Sequence, residues 1–172
     1  LSLEGKVAET EVSILPNPKV KTSKPDFDEQ RLVLDQIENT IRNIHESVTV
    51  MRSAKKQLKT YEELLKENEN ATDLLEKGKG LIKRIDSWEQ NLIQPNQKTY
   101  QDVINYNNQL NDQLMHLKGF VDSSDPKVTQ GAKQRLADLL DDWKTYENEK
   151  KAIVNTEMAS YNKMYTDLGL PA

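Results

Sequence analysis

The sequence predicts an all-α fold, an elongated antiparallel bundle of four helices in three columns, and three observations lead to it. Apolar residues recur at alternating spacings of three and four, the pattern of helices that each bury one stripe. Glycine and proline are scarce, at six each. Aromatic residues make up only 6% of the chain and charged residues 30%, which is too little apolar material for a thick globular core but enough for slender packed helices.

The first predicted helix begins near Asp26 or Asp28, the candidate N-caps after Pro25, and ends near Lys66. Such a helix is about 60 Å long at 1.5 Å per residue. Its apolar residues form a heptad seam interrupted by Lys55. The seam comprises Leu34, Ile37, Ile41, Ile44, Val48, Met51, Leu58, Tyr61 and Leu65.

The second predicted helix follows a turn at Asn68-Glu69-Asn70 and ends near Leu92. Its seam is unbroken except for Gly78, and an interior glycine costs about 1 kcal/mol relative to alanine. Gly78 therefore indicates either the close approach of a neighbouring helix or large side chain, or a local weak point. The other seam residues are Ala71, Leu74, Leu81, Ile85, Trp88 and Leu92.

Two further helices complete the predicted bundle. The third is shorter and stops near Ser123-Ser124; the fourth starts at Asp125-Pro126, with Asp as cap and Pro in the first turn, and ends at Gly169, before Pro171. A stutter between Tyr146 and Val154 predicts local unwinding of the fourth helix. The seam residues are Leu110, Leu114, Leu117 and Val121 in the third helix, and Ala132, Leu136, Leu139, Trp143, Tyr146, Val154, Met158, Tyr161, Tyr165 and Leu168 in the fourth.

The helix lengths predict how the helices are arranged. The second and third helices together are about as long as the first or the last, so we expect them to form one broken middle column. The first helix then runs parallel to the fourth. The competing arrangement is an up-down-up-down four-helix bundle, in which residues 93–104 reverse the chain.

The break in the middle column coincides with a stretch that is rich in Asn and Gln, residues 91–113. A broken helix exposes unpaired carbonyl and N–H groups, and amide side chains can satisfy both kinds without charge. We expect Asn105 to cap the third helix and Asp102 to cap a turn before it. The alternative is a surface that binds a polar partner such as a sugar. The candidate interaction residues are Gln94, Asn96, Tyr100, Gln101, Asp102, Asn105 and Tyr106.

The first 25 residues differ from the rest. Residues 7–14 alternate with a loose period of two and Glu4-Gly5-Lys6 is a plausible turn, so we expect a short β-hairpin or extended segment that Pro16 and Pro18 end. Residues 1–25 are interpreted as the end of a preceding β domain and a linker, and residues 26–172 as the helical domain. The alternative is an ordered tail lying on the helices. The chain starts with Leu1 and opens in mid-pattern, which indicates a piece of a longer protein.

Composition argues against several functions. The net charge is −4 with both signs interleaved, so no basic face is expected to bind nucleic acid. No apolar run approaches the roughly 20 residues that span a membrane. There is no cysteine, and neither His45 nor His116 lies three residues after a glutamate, as the di-metal sites of helical bundles require. We expect no catalytic residue, no metal site and no cofactor.

The segment around the amide-rich stretch resembles a known family. The residues that carry the resemblance are Asn91-Leu92-Ile93-Gln94-Pro95, Gln101-Asp102, Asn105-Tyr106, Leu110-Asn111, Leu114, Leu117, Gly119-Phe120-Val121 and Ser124-Asp125. They are similar to the C-terminal helical region of bacterial sortilin/VPS10-like proteins, which carry BNR/Asp-box β-propellers and are commonly labelled glycosyl hydrolases. The chain departs from the family where Val103 and Asn107 replace frequent prolines, and it contains no Asp-box.

The resemblance implies a function for the whole chain. It implies a non-catalytic structural or interaction module at the C-terminus of a larger secreted or periplasmic propeller protein. The partners would be the upstream β-propeller or β-sandwich domains of the same chain, with protein or glycan as further possibilities. A carbohydrate-binding accessory module that uses the amide- and Tyr-rich loop is the first alternative, and a hydrolase in its own right is the second.

Overall fold

The computed structural model describes residues 2–3, 6–7, 9–15 and 17–170, and most of them are helical. Four helical segments pack together, and the last of them contains a π-helical turn. The α-helices are α1 (Lys24–Leu65), α2 (Thr72–Leu92), α3 (Leu110–Val121), α4 (Gln130–Ala152) and α5 (Ala159–Asp167), with the π-helix at Ile153–Met158. Short 3-10 turns lie at Glu69–Ala71 and Tyr100–Ile104, and two strands at β1 (Ser2–Leu3) and β2 (Lys6–Val7).

Contacts along α1 show that the last helical column runs in the same direction. Near the start of α1, Glu29 forms an ion pair with Lys133 of α4. Further along, Lys150 Nζ donates to Ser47 Oγ at 2.8 Å. Near its end, Tyr61 lies against Tyr165 of α5, with the ring centroids 4.9 Å apart. The two columns are therefore parallel.

The helices α2 and α3 run one after the other in the opposite direction along α1. Lys79 of α2 pairs with Glu62 near the end of α1 at 3.7 Å. At the other end, the Nε2 amide of Gln30 donates to the backbone oxygen of Val121 at 2.7 Å, which satisfies a carbonyl at the end of α3. These contacts agree with the predicted broken middle column.

The core is a single apolar cluster that runs along the three columns. Trp88 on α2 is fully buried, and its indole N–H donates to the backbone oxygen of Tyr146 at 2.8 Å, so α2 and α4 are joined near the C-terminal end of each helix. The largest fully buried side chains are those of Trp88, Ile37, Ile44, Met51, Leu74, Ile85, Leu92, Leu114, Leu139, Ile153 and Pro126. All but the last two belong to the predicted seams.

Gly78 lies where α2 meets α5. A Cβ atom placed on Gly78 would stand 3.2 Å from Cε2 of Tyr161. The interior glycine therefore marks the close approach of a large side chain, which was the first of the two interpretations.

Three predicted helix starts were wrong. The first helix begins earlier than predicted, with Ser23 as N-cap, and the Asp26 carboxylate accepts a hydrogen bond from the Ser23 backbone N–H at 2.9 Å. Asn105 does not cap α3, because it ends the 3-10 turn Tyr100–Ile104 and α3 begins later, after Gln109.

The predicted start of the fourth helix at Asp125-Pro126 was also wrong. The side chains of Pro126 and Val128 are buried, and this packing keeps the segment non-helical. The helix begins after Thr129, whose hydroxyl accepts a hydrogen bond from the Ala132 N–H at 3.2 Å.

The fourth predicted helix is locally unwound, as expected, but its seam was misassigned. Ile153 is buried, whereas Val154 is exposed. The unwinding takes the form of the π-helix Ile153–Met158. At the C-terminus, Gly169 has φ 63 and its N–H donates to the Thr166 oxygen at 2.9 Å, which confirms the predicted stop. Pro171 lies outside the described residues.

The predicted N-terminal β-hairpin is not supported. The two strands are two residues long each, and residues 9–15 form neither helix nor strand. The alternating side chains in this segment, among them Val12 and Ile14, are exposed. The two short strands pair with each other, and a strand pair this short is marginal in water. The predicted turn residues Glu4 and Gly5 lie outside the described residues.

Within the described part of the chain, no helix is long and apolar enough to cross a membrane.

Candidate functional site

The loop between α2 and α3 contains the predicted interaction residues, and hydrogen bonds tie its two ends together. The Nε2 amide of Gln94, at the start of the loop, donates to the backbone oxygen of Asn107 near its end at 3.3 Å. The side-chain oxygen of Gln94 accepts from the Asn96 N–H at 3.4 Å. Both polar ends of Gln94 are therefore used inside the loop.

Asp102 organises the middle of the loop. Its Oδ2 atom accepts hydrogen bonds from the backbone N–H groups of Lys98 at 2.8 Å and Thr99 at 2.7 Å. These two backbone bonds hold the pKa of the Asp102 carboxyl below its ordinary value. Asp102 thus helps to cap the 3-10 turn Tyr100–Ile104, as the sequence predicted. It does so from the third position of the turn, and Thr99 is the N-cap residue.

The apolar side chains of this loop point outward. Val103 is exposed, and Ile104 is 85% exposed. Both follow Asp102 on the 3-10 turn, and the Asp102 carboxylate bonds the loop backbone. The loop therefore presents apolar surface to solvent, which is the reverse of the usual distribution in a polar loop.

The outward surface continues onto α3. An open groove of ≈ 390 Å³ is lined by Val103 from the loop and by Met115, His116 and Gly119 from α3, together with Gln97, Asn108 and Asp112. Gly119 also lines a second groove, which contains Phe120, Lys127 and Val128. A Cβ placed on Gly119 would meet nothing within 4 Å beyond its chain neighbours and the backbone of its own helix, so the floor between the grooves is open. Met115 and Phe120 are both exposed.

The predicted interaction residues do not converge on one pocket. Gln94 lines another groove with Gln97, Lys98 and Thr99. Gln101, Asn105 and Tyr106 are exposed along the loop, and Tyr106 is 38% exposed. The Tyr100 side chain lies outside the described part of the structure.

Neither histidine belongs to a metal site in the described residues. His45 Nε2 lies 2.8 Å from Asn111 Oδ1, a contact that joins α1 to the start of α3. His116 lines the groove described above. Among the residues that the structure describes, no group of three or more His, Asp or Glu side chains is placed to hold a metal ion.

Sequence reasoning overlooked the apolar residues of this surface. Val103 and Ile104 are an adjacent β-branched pair within an amide-rich loop, and Met115 and Phe120 are apolar residues outside the seam of α3. Apolar residues outside a seam are the available sequence signal for such a surface, because a helix needs only one stripe for its core.

Comparison of the chain with protein-family models, with curated proteins and with solved structures finds no match.

Proposed function

We propose that this chain is a non-catalytic helical module with a structural or interaction role, placed at the C-terminus of a larger β-propeller protein of the periplasm or the extracellular space. The propeller and the location rest on the family resemblance of the segment around residues 91–125. The interaction role rests on one observation: the loop between α2 and α3 bonds Gln94 and Asp102 to its own backbone, and it exposes Val103 next to Met115 of α3.

That arrangement suits a protein partner better than a sugar. A sugar-binding surface needs polar groups that are free to bond hydroxyl groups, yet Gln94 and Asp102 are bonded to the loop backbone. Exposed apolar side chains from two elements, Ile104 and Met115 among them, are instead typical of a surface that another protein covers.

The test begins with the reading frame that encodes the chain. Asp-box repeats, of the form Ser-x-Asp-x-Gly-x-Thr-Trp, upstream of Leu1 are expected, and an unrelated enzyme there would overturn the propeller assignment. Binding of the purified chain to the purified upstream domains is then measured by calorimetry. We expect the double variant Val103→Asp, Ile104→Asp to weaken binding at least about tenfold, as substitutions at the centre of an interface do. Equal affinity of the variant and the parent would remove this surface from the proposal.

A matched control is available on α1. Leu64 is exposed but lies far along the bundle from the loop, so Leu64→Asp introduces the same kind of charge at a distant apolar residue. We expect Leu64→Asp to leave the affinity unchanged.

Carbohydrate binding is the second candidate, and one observation favours it: Asn105 and Tyr106, neighbours in the sequence, both have exposed side chains. A glycan array probed with the chain tests it. Binding that is abolished by Tyr106→Ala, with the helical content unchanged, would favour this candidate over protein binding.

The non-catalytic part of the proposal has a separate test. We expect the chain alone to leave aryl glycosides intact. Turnover that disappears when a single carboxylate is replaced would show that the chain is a hydrolase.

A further inference from the structure

One position in the seam of α1 is occupied by a charge. Lys55 stands between Met51 and Leu58 in the heptad series, where an apolar residue is expected. Opposite it on α2 lies Glu89, whose side chain is only 7% exposed. The α1–α2 interface therefore contains charged groups where apolar packing would be the simpler solution.

These groups form one cluster. Arg52 Nε and Nη2 lie 2.7 and 2.6 Å from Glu89 Oε1. Lys55 Nζ lies 2.5 Å from Asp86 Oδ1 and 3.4 Å from Glu89 Oε2. Burial, the largest single influence on Lys55, lowers its pKa. The hydrogen bond to Asp86 and the two neighbouring carboxylates outweigh burial, and the net shift is upward.

Such a cluster is a poor source of net stability. Removing charges from water is unfavourable, and apolar residues of similar volume often hold the same interface at least as well. What a charged seam position does supply is a preference for one pairing of two helices over the others.

The apolar residues of α1 do not fix that pairing by themselves. The core side chains of α1 are mostly aliphatic and repeat every seven residues, so sliding α2 by one heptad places similar side chains in similar positions. In an antiparallel pair, such a slide moves the connecting turn by only about half a heptad. The turn between α1 and α2 could move that far along the polar segment around Asn68-Glu69-Asn70.

The charges distinguish between these pairings. Three ion pairs join α1 to α2 in one register: Arg52–Glu89, Lys55–Asp86 and Glu62–Lys79. They share a register because each step forward along α1 is matched by an equal step back along α2. A slide of seven residues in one direction places Lys55 opposite Lys79. A slide in the other direction places Glu62 opposite Asp86. Each slide therefore brings one pair of like charges together, although the second also places Lys59 opposite Glu89.

We propose that the cluster of Arg52, Lys55, Asp86 and Glu89 is a register lock, which fixes where α2 lies along α1 and does so without adding net stability to the bundle. The loop between α2 and α3 follows directly from the end of α2. The lock therefore also sets the position of that loop relative to α1.

The test uses the double variant Lys55→Met, Glu89→Leu, which makes the seam continuous and apolar. Because the chain contains no cysteine, spin labels can be attached at Arg42→Cys and Lys83→Cys, two exposed positions on α1 and α2. Pulsed electron paramagnetic resonance then measures the distance between the labels. We expect one distance in the parent. In the variant we expect a second population shifted by about 10 Å, the rise of seven helical residues.

Chemical unfolding of the same variant is the second measurement. We expect its free energy of unfolding to equal or exceed that of the parent. A variant that is stable but keeps the single parental distance would overturn the lock. A variant that loses its fold would overturn it as well, because the cluster would then be a source of stability.

The control replaces a lysine–carboxylate ion pair that lies within one helix, away from the α1–α2 interface. Lys163 and Asp167 pair within α5 and are both exposed. We expect the double variant Lys163→Leu, Asp167→Leu to retain the single distance between the labels.

Discussion

Gly78 and Gly80 lie two residues apart on α2, but only Gly78 faces another helix. A Cβ on Gly78 meets the buried ring of Tyr161, whereas a Cβ on Gly80 meets nothing within 4 Å beyond its chain neighbours and its own helix backbone. Glycine is therefore needed for close packing at position 78. At position 80 it only lowers the helix propensity relative to alanine.

The two glycines give a matched pair of substitutions. Gly80→Ala is expected to raise the free energy of unfolding by about 0.5–1 kcal/mol, since alanine restricts the unfolded chain and favours the helix. Gly78→Ala is expected to gain less than Gly80→Ala or to destabilise the protein, because the Tyr161 ring must move. Urea unfolding of both variants checks this. An equal gain at both positions would show that the Tyr161 ring yields freely.

Asp102 is the residue on which the order of the candidate site depends. The two backbone N–H groups that donate to its carboxylate lower its pKa from the ordinary value of 3.8. The charged carboxylate therefore stabilises the loop fully when the pH is above 3.8. This contribution is lost as the pH falls through the lowered pKa. We expect the amide proton shifts of Lys98 and Thr99 to titrate with a midpoint below 3.8.

The variant Asp102→Ala is expected to abolish that titration and to speed amide exchange at Lys98 and Thr99. Gln101→Ala, at the neighbouring exposed position, is expected to leave both properties unchanged. Rapid exchange throughout residues 94–104 in the parent protein, comparable to that of the termini, would contradict an ordered loop.

At the scale of the elements, the helical seams were predictable and several helix starts were not. A seam such as Ile37, Ile44 and Met51 follows from the geometry of any helix that buries one face. The start at Asp125-Pro126 carried the usual local signal. It failed because burial of Pro126 and Val128 is a tertiary effect, which a local signal does not contain.

The candidate site was predictable only in its position. The amides marked the break in the middle column, and Asp102 bonds a turn there, as expected. The exposure of Val103 and Ile104 depends on how the 3-10 turn is oriented against α3. No periodic pattern in the sequence predicts that orientation. The four charges of the register lock were equally hidden, since Lys55 is only an interruption until its partners on α2 are known.

The π-helix Ile153–Met158 absorbs one extra residue in the last column. The buried residues Ile153 and Tyr161 are eight positions apart, whereas two turns of α-helix contain about seven residues. The wide turn keeps Tyr161 facing Gly78 despite the extra residue.

Deletion of one residue from the π-helix should therefore be tolerated. We expect deletion of the exposed Asn155 to give a continuous α-helix, with cooperative unfolding retained and a stability change of less than about 1 kcal/mol. Deletion of the exposed Asn162 in α5 should instead rotate Tyr165 away from Tyr61 and destabilise the protein by about 2 kcal/mol or more. Thermal unfolding distinguishes the two variants. Equal losses would indicate that the extra residue is required for packing.

At the scale of the whole molecule, the break in the middle column determines which ends of the helices meet. Residues 93–109 carry the chain onward without reversing it, so α3 continues in the direction of α2 and α4 returns alongside α1. Leu168 then lies beside Asn70 and Asp73, at the turn between α1 and α2. The start of α4 lies beside the start of α1, where Lys133 meets Glu29.

Two pairs of spin labels test this arrangement in solution. Labels at Phe27→Cys and Leu168→Cys are expected to lie about 50–60 Å apart, the length of a helix of about 40 residues. Labels at Phe27→Cys and Gln134→Cys are expected to lie within about 25 Å, since neighbouring helix axes are about 8–10 Å apart and the labels add their own length. In an up-down-up-down bundle the two results would be exchanged, because the fourth helix would start at the far end and bring Leu168 back to Phe27. The second pair thus serves as an internal control for the first, and a short distance between positions 27 and 168 would exclude the three-column arrangement.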